Sequence, residues 1–486
     1  MRGGRFAAWA CLVGACLVWG FGARAAPSRD AAAAGERTKV LFFFDTEDFI
    51  QPRSADAIRD IADLLAAEGV KGHFAMVGYL CKKLVDWRRF DVLDALRGHH
   101  VGTQTLYHSL HPNITESTDV EDFDAAYLHA MDEESRGIGM IQAATGQERM
   151  WCSVLPGNGN TIVAMYLYAD LGIPFFGGGT GMYEDATTCG DIWYCNQRHL
   201  TYAAGLRLES FIPGSGEECD VEGALDKLAR QKVATLYMHP HMAVCTKHWD
   251  WVFAGGNLYP FGAWPYAPAR PAADTAAFYE RLRAFVRRLK ADARFEITDC
   301  PSLLAAQRPR RAITLADVPA IRSALLRDLG PVRAPADWCV ADCFLAAVGL
   351  LRGETRHEPG KVHGFLYAPE GVKTPVRVTA AGLRRAAAQM DVSRFLPPSI
   401  VVDGQKIGPA DFLFAALEVL ETGAEEVTVA PREQLGDIAR HLPKMAAADF
   451  RGTWIYAPDY KDAWTSNRLR WQFWTFRYEH PLKNDE

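Results

Sequence analysis

The sequence predicts an α/β protein in which a distorted (β/α) barrel is followed by a mainly helical C-terminal domain. Three observations predict this fold. Apolar runs of strand length alternate with helical stretches over the first two-thirds of the chain. Polar residues with catalytic chemistry follow the ends of several of these runs, as they do in barrel enzymes. In the last third the strand pattern mostly stops, and Ala- and Leu-rich helical segments dominate.

Length and composition favour a folded protein of more than one domain. The chain has 486 residues, of which 49% are hydrophobic and 23% are charged, so it can bury large cores and is not a disordered chain. The formal net charge of −6 gives no broad attraction to nucleic acid or to an anionic membrane. We therefore expect no nucleic-acid partner.

The first 25 residues have the pattern of a secretory signal peptide. Arg2 and Arg5 precede the apolar run Phe6–Phe21, and Ala23-Arg24-Ala25 fits a cleavage site before Ala26. We expect an exported protein, secreted or periplasmic, with no integral membrane segment after the leader; an uncleaved anchor is the alternative. Of the 11 cysteines, the number after the leader is odd, so at least one of them is expected to be free or paired outside the chain. Cys189 and Cys195 are close in sequence, and they form either a bridge or two buried thiols.

Residues 36–305 contain the predicted barrel. Lys39–Phe44 is a nearly continuous apolar run, which is typical of a fully buried strand, and Ala55–Glu68 has helical spacing that ends at Gly69. The further strand candidates are Lys71–Val77, His100–Thr105, Arg149–Leu155, Ile173–Phe176, Leu206–Ile212, Val233–Met238 and Phe295–Thr298. The helix candidates between them are Phe90–Leu96, Val120–Gly137 and Asn160–Leu171.

The strand ends carry the residues that suggest chemistry. Active residues of a barrel gather beyond the C-terminal ends of its strands, and here those positions hold Asp45-Thr46-Glu47-Asp48, the stretch Gln104 to Pro112, Pro156-Gly157-Asn158, His239-Pro240-His241 and Asp299. Carboxylates beside a buried strand require compensation by a metal or by hydrogen bonds. Imidazoles with one carboxylate form a common catalytic zinc site. The alternatives are a loop cluster that caps a helix at Ser54, and histidines that are only hydrogen-bonded.

These motifs resemble the polysaccharide deacetylases of carbohydrate esterase family 4, also called the chitooligosaccharide deacetylase homology domain, over about Lys39 to Ala305. The resemblance implies a distorted (β/α) barrel and removal of N- or O-acetyl groups from sugars. The first motif is similar to Phe44-Asp45-Thr46-Glu47-Asp48, which implies that Asp45 is the general base and Asp48 a metal ligand, with Glu47 as the competing ligand. The fifth is similar to Leu236 through Pro240, which implies that His239 is the catalytic acid.

The second, third and fourth motifs are matched less closely. Gln104 through His108 is similar to the second, so that His108 is implied to be a metal ligand. Arg149 through Pro156-Gly157-Asn158 is similar to the third; the implied roles are charge pairing of Arg149 with Asp45, and substrate binding by Pro156, Gly157 and Asn158. Asp191 through Tyr194 is the candidate for the fourth, with Trp193 as a substrate-binding residue.

One position departs from the family, because Gln104 stands where the first metal histidine is usual. An amide oxygen is a poorer ligand than imidazole for a zinc-like ion. His111 would then complete the shell with Asp48 and His108; alternatively, Gln104 coordinates weakly together with Glu47, or the metal has been lost. With the metal present, the resemblance implies that the ion polarises the acetyl group, Asp45 takes a proton from water and His239 protonates the leaving group.

An aromatic stretch after His239 has two explanations, stacking on sugar faces or packing of a long loop. It comprises Trp249, Trp251, Phe253, Tyr259, Phe261, Trp264 and Tyr266.

Residues 312–486 form the predicted C-terminal domain, which contains an internal repeat. Ala341–Leu351 parallels Ala410–Leu420 at a constant offset. The stretch Leu396–Gly404 resembles the pseudomurein-binding repeat of cell-wall proteins; a helical domain that packs on the barrel is the alternative. The aromatic tail needs an apolar partner, so we expect it to dock; its members are Trp464, Trp471, Phe473, Trp474, Phe476 and Tyr478.

The functional expectation is an exported, metal-assisted deacetylase that acts on an acetylated envelope or extracellular glycan, with a divalent metal of the zinc type as cofactor. Two alternatives remain open. One is a non-catalytic glycan- or wall-binding protein on an inactivated barrel, and the other is a metal-independent amidohydrolase of the same superfamily.

Overall fold

A computed structural model of the protein describes residues 37–178, 189–202, 205–216, 220–250, 263–446 and 455–479. The predicted signal peptide, residues 1–25, lies outside these ranges, as do Cys219 and the aromatic residues Trp251, Phe253, Tyr259 and Phe261.

One sheet organises the first two-thirds of the chain. Its strands in chain order are β1 (Thr38–Thr46), β2 (Gly72–Met76), β3 (His100–Thr103), β4 (Cys152–Ser153), β5 (Phe175–Gly178), β6 (Ile192–Tyr194), β7 (Gln197–Thr201), β8 (Leu206–Arg207), β9 (Val233–Met238) and β10 (Phe295–Ile297). Their spatial order is β6-β7-β5-β4-β3-β2-β1-β9-β8, and β10 also pairs with β1. Every pair is parallel except β6 with β7.

The sheet curls until β7 faces β9. The hydroxyl of Thr235 in β9 donates to the carbonyl oxygen of Thr201 in β7 over 2.9 Å. Just beyond, the Tyr202 and Tyr237 rings stack with their centroids 4.5 Å apart. The predicted fold class, a distorted (β/α) barrel with a C-terminal helical region, is therefore confirmed.

Helices cover the outside of the curled sheet. They are α1 (Arg53–Ala67), α2 (Gly78–Asp86), α3 (Phe90–Leu96), α4 (Ile114–Thr118), α5 (Phe123–Thr145), α6 (Ile162–Asp170), α7 (Val221–Leu228), α8 (Ala272–Ala291) and α9 (Cys300–Ala305). The helical spacing predicted for α1 is explained by burial of Ile58, Ile61 and Leu65, and the chain leaves the helix at Gly69 with a φ of 69°. β1 is covered on both faces, since Val40 through Phe44 are fully buried.

Several predicted elements differ in the structure. Arg149–Leu155 forms only the two-residue β4, and in Leu206–Ile212 the two-residue β8 is followed by a 3₁₀ turn, Leu208–Phe211. The hairpin β6–β7 was not predicted; its two turn residues, Cys195 and Asn196, have positive φ. Of the two explanations for Cys189 and Cys195, the structure shows buried thiols and not a bridge.

The C-terminal unit contains two copies of one arrangement. The first consists of β11 (Ile313–Thr314), α10 (Val318–Arg327), α11 (Val340–Leu351) and β12 (Arg356–His357), and the second of β13 (Val376–Thr379), α12 (Ala380–Gln389), the hairpin β14 (Ile400–Val402) and β15 (Gln405–Ile407), α13 (Pro409–Thr422) and β16 (Glu426–Val429). The outer strands of each copy pair antiparallel. The repeated aspartates, Asp342 and Asp411, each accept a backbone N–H at the start of their helix.

The last part of the chain returns to the barrel. After α14 (Ile438–His441) and α15 (Pro443–Ala446), α16 (Thr465–Trp471) begins where the Asp119 carboxylate accepts the N–H groups of Trp464 and Thr465, both at 2.8 Å. β17 (Arg477–Tyr478) then pairs antiparallel with β6, giving the sheet its eleventh strand. None of the helices in the described ranges combines the length and the apolar character that crossing a bilayer requires.

Candidate active site

Asp45 lies at the C-terminal end of β1 and is almost fully buried. Its Oδ1 accepts the hydroxyl of Tyr202 over 2.8 Å, and its Oδ2 lies 3.7 Å from Nε2 of His239. Burial raises the pKa of Asp45 to about 6, against the attraction of His239. The structure thus brings together the two residues that the motifs suggested as base and acid.

Glu47 forms the centre of the site. Its Oε1 accepts the Gln104 amide N–H over 2.7 Å and lies 3.3 Å from His108 Nε2 and 3.6 Å from His239 Nε2. Its Oε2 accepts the indole N–H of Trp249 over 2.8 Å. Burial favours the neutral acid, but the positive charges of His108 and His239 outweigh it and hold the pKa of Glu47 well below its usual range. Glu47 is therefore an ionised carboxylate held on both oxygens.

His239 is oriented by a second carboxylate. Its Nδ1 lies 2.9 Å from Glu209 Oε1, and the same oxygen accepts the His239 backbone N–H over 3.0 Å. Burial opposes protonation, but Glu47, Glu209 and Asp45 together raise the pKa of His239 to about 10. The ring is therefore protonated at neutral pH, with Nε2 facing Asp45 and Glu47.

Two further histidines lie behind His239. His241 Nε2 is 3.3 Å from His248 Nδ1, and the His239 and His248 rings meet edge to face at 4.8 Å. Burial and the neighbouring histidine hold the pKa of His241 well below its usual range, and burial lowers that of His248 to about 4. This pair is neutral at physiological pH, so it packs beside the charged His239 without adding charge.

The potential metal ligands are not the predicted set. Among the residues that the structure describes, the group whose ligand atoms all lie within 4.8 Å of one another is Asp45, Glu47 and His239. The predicted set of Asp48, His108 and His111 does not converge in this way. Of those three residues, His108 lies next to the group, with its Nε2 3.3 Å from Oε1 of Glu47.

Asp48 points to the other side of the chain and stabilises a turn. Its Oδ1 accepts the N–H groups of Ile50 and Gln51, and its Oδ2 accepts the Ser54 hydroxyl. Side chains of an extended segment alternate between two faces, so Asp45 and Glu47 share the face toward the barrel axis and Asp48 does not. Of the two ligands considered from sequence, the structure therefore places Glu47 in the site.

His111 is engaged in its own loop. Its Nδ1 lies 2.8 Å from Oε2 of Glu116, a residue of the capping box at the start of α4. Gln104 remains in the site: its Nε2 is bonded to Glu47, whereas its Oε1 is buried without a hydrogen-bond partner in the described part of the chain. Gln104, at the position where the resemblance implies a histidine, thus donates an N–H hydrogen bond to the Glu47 carboxylate.

Arg149 does not pair with Asp45. Its guanidinium lies over the Trp151 ring at 4.5 Å and donates to the Gly172 carbonyl over 3.5 Å. Arg149 precedes β4, whereas Asp45 lies near the end of the parallel strand β1, so the two residues occupy opposite edges of the sheet.

The predicted substrate-binding residues lie in two places. Pro156, Gly157 and Asn158 form a 3₁₀ turn after β4, at the C-terminal edge of the sheet; the side chain of Asn158 is outside the described set. Trp193 instead lies in β6, where its indole N–H donates to Glu479. Of the aromatic stretch, Trp249 and Trp264 are buried and stack on each other at 5.3 Å, so these two are packing residues.

Glu209 and Tyr202 were missed in the sequence. Glu209 comes after β8, which has only two residues, and Tyr202 comes after β7, which the sequence does not predict. The register gives a signal for Glu209: Arg207 pairs with Tyr237, so two residues further along these parallel strands Glu209 lies beside His239. Tyr202, just beyond β7, reaches Asp45 because the sheet curls.

Comparisons with known proteins give structural neighbours only. No protein-family model and no curated protein sequence matches the chain. Three of the solved structures to which the chain is similar are carbohydrate esterase family 4 (CE4) proteins. They are a CE4 family pseudoenzyme from Bacillus anthracis (13% identity, 55% of this chain and 66% of that chain, TM-score 0.32), a family 4 carbohydrate esterase from Streptomyces lividans in complex with acetate (14%, 54% and 92%, 0.30) and a CE4 esterase from Streptococcus mutans (14%, 54% and 87%, 0.31).

Proposed function

We propose that the protein is a hydrolase that removes acetyl groups, N- or O-linked, from an envelope or extracellular glycan. The observation that carries this proposal is the convergence of Asp45, Glu47 and His239 within 4.8 Å at the C-terminal edge of a curled parallel sheet, which is where barrel enzymes hold their catalytic groups. The sugar and the acetyl linkage are proposed from the resemblance of the motifs.

The donor set fits a divalent ion of the zinc type. Glu47 and His108 would hold it from one side, and Asp45 and His239 border the same space. Gln104 Oε1, which is buried and unpartnered within the described ranges, would face this space if the amide turned over, since the oxygen and nitrogen of an amide are interchangeable in shape. When bound, the ion supplies positive charge that polarises the acyl carbonyl.

The residues of the chain would divide the proton transfers between them. Asp45, with a pKa of about 6, is ionised at neutral pH and would accept a proton from the attacking water. His239, with a pKa of about 10, carries a proton that it would give to the leaving amine or alcohol. Glu209 keeps that ring oriented, with Nε2 facing the reaction space.

A specific observation favours one alternative, a metal-independent or inactive site. Both oxygens of Glu47 already accept N–H donors, from Gln104 and Trp249, and two imidazoles balance its charge. Such a carboxylate is stable without an ion, so an amidohydrolase without metal or a non-catalytic glycan-binding protein is the second candidate.

Elemental analysis of the purified full-length protein, together with acetate release from mixed acetylated glycans, separates the candidates. The proposal is supported if the wild type binds stoichiometric metal and releases acetate, and if both the metal content and the acetate release fall in Glu47→Gln. Release that is unchanged by chelation would support the metal-independent enzyme, and neither metal nor release would support the binding protein. Glu222→Gln, at an exposed position on α7, serves as the matched control.

Export is part of the proposal and rests on the sequence of residues 1–25. Mass spectrometry of the protein from its native compartment tests it. A mature form that begins near Ala26 is expected, and an intact Met1 on a cytoplasmic form would contradict export.

A further inference from the structure

A cavity lies away from the candidate active site, between the barrel and the C-terminal unit. Its volume is about 160 Å³, and its walls include Trp193 and Asn196 from the barrel and Arg310, Lys361 and Arg477 from the later segments. Trp193 pairs with Arg198 near the start of β7, whereas Tyr202, which contacts Asp45, follows the end of that strand. The cavity is thus at the opposite edge of the sheet.

Arg477 is a buried arginine with too few acceptors. It is 6% exposed, and its guanidinium lies 4.4 Å from the centre of the Trp193 ring. Within the described residues its hydrogen bonding is limited to the Tyr478 carbonyl at 3.5 Å, and the carboxylate nearest to it is Glu479, at 3.9 Å. A guanidinium has five N–H donors, so most of them lack an acceptor.

Glu479 makes only a distant contact with Arg477, because its two oxygens have other partners. One of its oxygens accepts the indole N–H of Trp193, and the other lies 3.8 Å from a second buried arginine, Arg198. Glu479 is therefore shared between two buried guanidinium groups, and the negative charges of Asp191 and Asp342 act on Arg198 and Arg477 respectively from further away. Burial, with Arg310 nearby, lowers the pKa of Arg477 to about 10, so the group remains charged at neutral pH.

The other two cations of the cavity have one acid each. Arg310 bonds to the buried Asp342 at 2.7 Å and to the Gly360 carbonyl at 2.5 Å. Lys361 bonds to Asp170 at 3.1 Å. Arg310, Lys361 and Arg477 thus place three cationic side chains on the cavity wall, and Arg477 has the fewest hydrogen bonds of the three within the described residues.

We propose that this cavity binds a small oxyanion, the phosphate or carboxylate group of a ligand, through Arg477 with help from Lys361. An anion would supply the hydrogen-bond acceptors that Arg477 lacks. Arginine forms paired hydrogen bonds with both carboxylate and phosphate, so the two sources share one chemistry. The site is independent of acetyl hydrolysis.

Isothermal titration calorimetry of the full-length protein tests the proposal, with inorganic phosphate and with glucuronate as probes, at constant ionic strength in chloride buffer. Saturable binding of either probe is expected, and the tighter of the two identifies the source. Arg477→Gln should weaken it about tenfold or more, since charge-assisted hydrogen bonds are the strong ones. Lys361→Gln, a half-exposed position, should weaken it less without loss of folding.

Arg432→Gln is the matched control. Arg432 also lies over an aromatic ring, Phe414 at 4.1 Å, and near a buried acid, Asp411 at 3.7 Å, but it does not line the cavity. Its replacement should leave anion binding unchanged. If Arg477→Gln does not fold, Arg477→Lys tests the same point, because it keeps the charge and loses the paired geometry. The absence of saturable binding to both probes, or equal affinity in wild type, Lys361→Gln and the folded Arg477 variant, would overturn the proposal.

Discussion

Glu209 Oε1 lies 2.9 Å from His239 Nδ1, and this contact leaves Nε2 of the same imidazole directed at Asp45 and Glu47. A carboxylate behind a histidine fixes the orientation of the ring and raises its basicity. The same contact suits a general acid and a metal ligand, so the roles of the group must be separated by experiment.

Glu209→Gln should lower turnover about 10–100-fold, the range found when such an orienting partner is lost. The amide carries no charge, so the pKa of His239 should fall from about 10. The alkaline limb of the pH–rate profile, where His239 loses its proton, should therefore move to lower pH. NMR titration of the His239 imidazole and a pH–rate profile measure the two effects. An unchanged pKa would contradict the orientation and charge assigned to Glu209.

Asp45→Asn should reduce acetate release by about 10²–10⁴-fold, as the loss of a general base does. The pKa of about 6 predicts that the wild-type rate also falls as pH drops through that value, because the base becomes protonated. The fold should persist, since asparagine can still accept the Tyr202 hydroxyl. Circular dichroism provides the folding control; full activity of the variant would exclude Asp45 as the base.

Gln104→His should strengthen zinc binding about tenfold or more, because imidazole is a better donor than an amide for this class of ion. Equilibrium dialysis with elemental analysis of the dialysed protein measures this. His111→Ala should leave the bound metal unchanged, since the His111 ring is bonded to Glu116 within its own loop. Release of metal from His111→Ala would restore the ligand set that the sequence suggested.

The raised pKa of Glu134 can be tested by measuring the free energy of unfolding as a function of pH. This buried residue of α5 accepts the Leu106 backbone N–H over 3.1 Å and the Tyr168 hydroxyl over 2.6 Å, and so holds the loop that carries His108. Burial raises its pKa from 4.5 to about 7. A raised pKa means that the contribution of the neutral acid to stability is complete below the unfolded value and is lost as pH rises through about 7.

The wild type should therefore lose stability relative to Glu134→Gln between about pH 4.5 and 7, because the glutamine does not ionise. Urea unfolding at pH 5 and pH 8 measures the difference. Asp132→Asn, at an exposed position of the same helix, should run parallel to the wild type. A wild type and a Glu134→Gln variant whose stabilities change equally with pH would contradict the raised pKa.

Some parts of the fold and of the candidate site can be predicted from the sequence. β1 could be predicted because a run of apolar residues buried on both faces is a local property. Asp45 and His239 could be predicted to be near each other because the ends of parallel strands share one edge. The resemblance of the first motif favours Asp48 over Glu47 as the metal ligand, whereas the alternation of side chains after β1 favours Glu47, the residue two positions from Asp45.

Other parts of the site depend on long-range register. Glu209 and His239 are 30 residues apart in sequence, and only the pairing of β8 with β9 places them side by side. The Tyr202 contact requires the curl of the sheet, and the cavity beside Arg477 requires the last strand to pair with β6, far away in the chain.

The sequence by itself determined the class of the fold, the buried strands and the kinds of side chain that follow them, because these depend on local periodicity and on residue chemistry. The tertiary structure decided which of those side chains meet: Glu47 and not Asp48, Glu209 behind His239, and His111 and Arg149 outside the group. Such choices are made by strand register, curl and loop packing, which join residues that no local pattern connects.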